Sequence, residues 1–134
     1  MPAPIEFYFD FSSPYSYLLS EQIEAIATRY GRSVEYRPTL LGAVFKVSGM
    51  SPLTEIALNG DYSRRAFARS ARFAGVKFEL PDPFPVPAVY LKAAVDESIA
   101  RGVCGAPFVF VDGEPFWGND RLPQIERWLQ YGAF

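Results

Sequence analysis

Four alternating prolines, Pro81, Pro83, Pro85 and Pro87, constrain this 134-residue chain more than any other feature. Proline lacks an N–H and fixes φ, so the stretch 79–87 can be neither an ordinary helix nor a central strand. It is predicted as an extended linker over the surface. The regular elements must therefore lie on either side of it, within a length that suits one compact domain.

Before the prolines, residues 5–10 form an apolar and aromatic run that reads as a strand. Ser13 as N-cap and Pro14 as first residue open a helix. Tyr17, Leu18, Ile23, Ile26, Ala27 and Tyr30 follow as a helical stripe, and Gly31 stops it. Residues 33–37 alternate as a second strand ending at Pro38. The spacing predicts a short helical turn within 40–47, a loop at 48–52, and a helix from Asp61 or Ser63 to Ala74, closed by Gly75. After the prolines, 89–100 resumes helical spacing and stops at Gly102. Residues 108–111 and 115–117 flank Asp112-Gly113 as a hairpin, and Gly118-Asn119 leads into a last helix through Trp128. A crossover helix makes the first two strands parallel, and the hairpin makes the last two antiparallel. This β-α-β then α-β-β-α order is that of an α/β, thioredoxin-like fold, as a single domain over 1–134.

Composition removes whole classes of chemistry. There is no histidine, so there is no Ser-His or Cys-His pair and no His-ligated metal. Cys104 is the single cysteine, which rules out an intramolecular disulfide or a dithiol centre. It reads as a small buried filler. A net charge of −2 provides no general pull toward nucleic acid or an anionic membrane surface. No apolar run approaches the ~20 residues of a membrane span, no secretory signal pattern opens the chain, and a cytoplasmic setting is expected. The 12 Phe, 8 Tyr and 2 Trp can fill a core, but can also wall a pocket for a flat ligand.

Three separated blocks carry a family resemblance. FYFDFSSPYSYL (7–18), LLGAVFKVSG (40–49) and GVCGAPFVFVDGEPFWGNDRL (102–122) resemble, in that order, the 2-hydroxychromene-2-carboxylate isomerases. These are relatives of kappa-class glutathione transferases and of DsbA-like thiol oxidases. The resemblance implies a helical insertion between the two halves, shortened here to a helical and Pro-rich stretch at 40–100. It implies a glutathione-dependent isomerase whose nucleophile is the thiolate of bound glutathione, with a small aromatic carboxylate as substrate. A non-catalytic binding module, associating with a partner or as a homodimer, and a transferase acting on other electrophiles are the alternatives.

Ser13-Pro14-Tyr15-Ser16 stands where a dithiol oxidoreductase has Cys-x-x-Cys, and hydroxyls cannot cycle through a disulfide. By itself Ser13 is a good N-cap; the resemblance makes it the catalytic group that hydrogen-bonds the glutathione sulfur. Ala106 and Pro107 read as a turn before a strand; the resemblance implies a cis-proline and pairing of Ala106 with the cysteinyl part of glutathione. Asn119 and Asp120 suit helix capping and, by resemblance, the γ-glutamyl group of glutathione. Tyr15, Phe45, Lys46 and Trp117 are the implied substrate contacts. Met50 stands where the family has an asparagine, and so does Pro87. Arg65, Arg69 and Arg72, with Arg64 beside them, form either a solvated helix face or an anion-facing wall. Asp10 is a buried acid near the helix start or a turn residue. No metal site is expected.

Overall fold

A computed structural model describes residues 1–82, 84 and 92–134. Strands β1 (Ile5–Phe9), β2 (Val34–Pro38), β3 (Phe108–Val111) and β4 (Glu114–Trp117) form one sheet in the order β2-β1-β3-β4. Helix α1 (Pro14–Arg29) crosses from β1 to the parallel β2, while β3 runs antiparallel to both β1 and β4. This is the thioredoxin-like arrangement expected from the order of elements. The β3–β4 turn takes positive φ at both Asp112 and Gly113, 53° and 88°, the geometry for which Asp-Gly is suited. Pro115 sits in β4, at the sheet edge, where a missing N–H is tolerated.

Alternation along β1 sends its side chains to two different environments. Ile5 and Phe7 join Leu19, Ile23 and Ala27 of α1 and Ile125 of the last helix, α5 (Leu122–Tyr131), in the main core. Tyr8, on the opposite face, packs with Val103, Phe108 and Phe110, and the lone Cys104 fills in beside them. That second face also holds a charged network that is invisible in the sequence. Arg101 donates to both Glu6 and the Tyr8 hydroxyl, and Arg37 bridges Glu6 at 3.0 Å and Glu97 at 2.6 Å. Glu97 lies on α4 (Lys92–Ala100), so the network fastens that helix to β1 and β2.

Its hydrogen bond from Arg101, more than the Arg101 and Arg37 charges, holds the Glu6 carboxyl below the ordinary glutamate range. A lowered folded-state value means a contribution that is present at neutral pH and lost as pH falls through that value. Glu6→Gln is therefore expected to cost about 1 kcal/mol at neutral pH. In denaturant titrations at successively lower pH, the gap from wild type should close in the acidic range.

The middle of the chain is more regular than its sequence suggests. Residues 41–48 form a full helix, α2 (Leu41–Ser48), rather than a single turn. A 3₁₀ turn at Leu53–Glu55 falls in the connection that follows. Helix α3 (Asn59–Ala74) starts ahead of Asp61. Gly60 explains the early start: a Cβ there would come within 2.7 Å of the Thr54 carbonyl, so only glycine lets the 3₁₀ turn rest on the first turn of the helix. Arg64, Arg65, Arg69 and Arg72 are exposed along α3, with Arg69 over the Tyr62 ring at 5.7 Å. Residues 79–82 and 84 of the Pro-rich stretch form neither helix nor strand; 83, 85–87 and the expected start of the following helix lie outside the described residues. Among those described, no helix is long and apolar enough to cross a membrane.

Candidate functional site

The site is assembled where β1 ends and α1 begins. Ser13 caps α1: its extended backbone frees the hydroxyl to accept from the Ser16 N–H at 3.1 Å. The same hydroxyl donates its hydrogen to the Ala106 carbonyl at 3.1 Å, which brings the 105–107 loop against the helix start. The Ala106–Pro107 peptide is cis. Trp117, at the end of β4, lays its indole across Gly105, where a Cβ would lie 2.5 Å from Nε1. The indole can take this position only while residue 105 is glycine. Gly105→Ala is accordingly expected to displace the indole, read as a shifted Trp117 emission in a Trp128→Phe background, while the far-ultraviolet circular dichroism stays unchanged.

A cavity of about 820 Å³ opens over these groups. Ser13, Tyr15, Phe45, Ala106, Pro107, Trp117, Asn119 and Asp120 all border it. Tyr15 meets Phe67 of α3 edge-on, ring centroids 5.0 Å apart, and burial raises the Tyr15 phenol above its ordinary range. Phe45 is contributed by α2. Lys46 is exposed on the same helix and lies outside the cavity lining, about 100° around the helix from Phe45. A cation that does border the cavity is Arg121, paired with Asp120 at 3.1 Å.

Asn119 and Asp120 do not cap the last helix through their side chains. They form a 3₁₀ turn, Asn119–Arg121, and α5 begins only at Leu122 with no side-chain cap. The Asn119 side-chain oxygen is instead buried with no hydrogen-bond partner. An orphaned buried acceptor at the rim of a cavity suits a ligand donor such as an ammonium.

Two further residues have roles that composition and spacing did not reveal. Gly105 makes room for Trp117, and Asp10, 3% exposed, accepts the Ser12 N–H at 2.6 Å and the Leu41 N–H at 2.7 Å. Burial pushes the Asp10 carboxyl up, and these two N–H bonds oppose the shift. An acid placed directly after a strand and just before an N-cap was the available signal. Its partner at Leu41 was not legible, being 31 residues away.

The model of the DSBA-like thioredoxin domain matches residues 4–95. The chain belongs to that family. Within it, this DSBA-like chain is similar to the 2-hydroxychromene-2-carboxylate isomerase of Sphingobium xenophagum, 27% identical over 193 aligned positions that cover 96% of this chain and 99% of the relative. The alignment is longer than the chain, so the relative carries a stretch with no counterpart here. The kappa 1 glutathione S-transferase of Caenorhabditis elegans is 35% identical over 81 residues, 60% of this chain and 36% of that one. A solved structure of a 2-hydroxychromene-2-carboxylate isomerase superposes with a TM-score of 0.77 at 22% identity, over 94% of each chain, which establishes the shared fold. The DSBA-like domain thus has relatives named as isomerases and as a glutathione transferase. In this chain, serine occupies both positions of the dithiol motif.

Proposed function

We propose that this protein is a glutathione-dependent isomerase of a 2-hydroxychromene-2-carboxylate-like compound, with Ser13 as the catalytic residue. The reading is carried by one observation: a buried serine hydroxyl at the N-terminus of a 16-residue helix, facing a cavity lined by aromatic rings. A helix N-terminus favours an anion, and a hydroxyl can donate to it. When bound, glutathione would supply the thiolate nucleophile that a chain without histidine, and with one cysteine partly buried away from the cavity lining, does not itself provide.

The residues present suit such a ligand. The Asn119 side-chain oxygen and the Asp120 carboxylate are acceptors for the γ-glutamyl ammonium, and the Ala106 carbonyl, beside Pro107, for a cysteinyl N–H. Tyr15, Phe45 and Trp117 would wall a flat substrate. Arg121 replaces Lys46 as the cation for its carboxylate, since Lys46 lies outside the lining.

The Ser13 bond to Ala106 gives this site a selectivity of its own. The hydroxyl hydrogen is committed to the Ala106 carbonyl in the free protein. A ligand N–H arriving at that carbonyl would compete with the hydroxyl for its lone pairs and, by weakening the Ser13 bond, let the hydroxyl turn toward a neighbouring sulfur. Thiols that carry a peptide N–H are then activated, and simple thiols are not. In calorimetric titrations glutathione should bind, and mercaptoethanol should bind at least about tenfold more weakly, the equivalent of one lost net hydrogen bond. No heat with glutathione, from a protein of intact fold, overturns the reading. Similarity to a kappa transferase favours transfer of glutathione to other electrophiles as the second reading. Product analysis separates the two: an isomer leaves glutathione unconsumed, whereas a conjugate does not.

A further inference from the structure

Asp10 joins two parts of the site that are otherwise separate in the chain. Its Oδ1 accepts from Ser12 in the loop before α1, and its Oδ2 accepts from Leu41, the first residue of α2. Leu40, at the N-cap of α2, offers that helix no side-chain cap, so the Asp10 carboxylate acts in its place. The Asp10 backbone is tied to the same loop: its carbonyl accepts from the Ser13 N–H at 3.0 Å, and its N–H reaches the Ser16 hydroxyl at 3.4 Å. One buried residue thereby holds Ser12, Ser13 and Ser16 on one side and the helix bearing Phe45 on the other. Keeping a carboxylate at such a depth costs solvation free energy. A cap alone would not need it there, because a serine or asparagine of α2's own N-terminus would suffice.

Building on the glutathione reading, we propose that Asp10 is a positioning residue for the reaction: its carboxylate, through Ser12 and Leu41, ties the loop that carries the Ser13 hydroxyl to the helix that carries Phe45, so that the sulfur site and the aromatic wall stand in one arrangement. Misplacement of reacting groups by an ångström is enough to cost turnover heavily while leaving the fold in place.

Two variants approach the clamp from opposite ends. Asp10→Asn leaves one acceptor and turns an NH₂ toward the other backbone donor. Leu41→Pro removes the second donor directly. Proline suits the first position of a helix, and the extended Leu40 before it, φ −118° and ψ 100°, is compatible with it. If Asp10→Asn does not fold, Leu41→Pro still reports.

Without ligand, amide exchange at Ser12 and Leu41 in Asp10→Asn should accelerate on the order of tenfold relative to distant core amides. With saturating glutathione, the ultraviolet absorbance of bound thiolate should fall in both variants. Turnover of 2-hydroxychromene-2-carboxylate should drop on the order of 100-fold, with a much smaller change in KM. Variants that melt earlier yet keep the wild-type thiolate signal and kcat would reduce Asp10 to a structural cap and overturn the proposal. Unchanged exchange at Ser12 and Leu41 overturns the clamp whatever glutathione does. A wild type without a bound-thiolate signal overturns instead the glutathione reading on which this rests.

Discussion

Replacing Ser13 by alanine is expected to lower isomerase turnover by about 10²–10³, the loss seen when one preorganised donor to a developing or resident anion is removed. The fold should survive. The cap that Ser13 provides to Ser16 contributes about 1 kcal/mol, a modest fraction of a domain's stability. The two consequences separate cleanly in measurement: thermal unfolding reports the cap, and steady-state kinetics at saturating glutathione report the donor. Ser16→Ala provides the contrast. Ser16 is buried as well, more deeply than Ser13, but its side chain serves the Asp10 N–H and not the Ala106 loop, so the kinetic effect should be much smaller. Equal losses in the two variants would mean that the loop's integrity, and not the Ser13 hydroxyl, carries the activity.

The largest effect on stability is expected from Phe7→Ala. Phe7 has no exposed surface, sits on the central strand β1 opposite Val109 and Tyr36, and packs with residues of both α1 and α5. Truncating a buried phenylalanine costs about 3–5 kcal/mol through lost transfer energy and the cavity left behind. Against the total of about 5–15 kcal/mol typical of a domain, this approaches wholesale unfolding. Denaturant titration should move the midpoint far down. Since β1 delivers Asp10 and the serine loop, ligand binding should be lost along with the fold. Excess glutathione should then recover part of the stability by mass action. A shift within a few tenths of a kcal/mol would contradict the placement of Phe7 in the core.

Much of this was legible from local patterns. The apolar run of β1, the stripe of α1, the Asp112-Gly113 turn and the order of elements specify the sheet, because each depends on residues within a few positions of one another. What escaped depends on distance. Glu6 meets Arg101 and Asp10 meets Leu41 only after the chain has folded, and nothing near Glu6 or Asp10 announces either partner. Asn119-Asp120 looked like a cap because those residue types usually are; the intervening 3₁₀ turn moves the helix start beyond their reach. Lys46 was implied as a substrate contact by the resemblance of its block; it is exposed and outside the cavity lining, while Phe45 borders it. Helix α3 was expected to open at Asp61 or Ser63, and it opens at Asn59. Packing of the Leu53–Glu55 turn on Gly60, which spacing could not show, accompanies the earlier start.

In the proposed function, Ser13 holds a borrowed thiol as its anion. The direct measurement is a pH titration of the ultraviolet thiolate absorbance of glutathione bound to the wild-type protein. The bound thiol is expected to ionise well below the value of about 8.5 typical of a free cysteine thiol, and Ser13→Ala to move it back toward that value. A bound thiol that titrates like the free one, and that does not respond to Ser13→Ala, would contradict it.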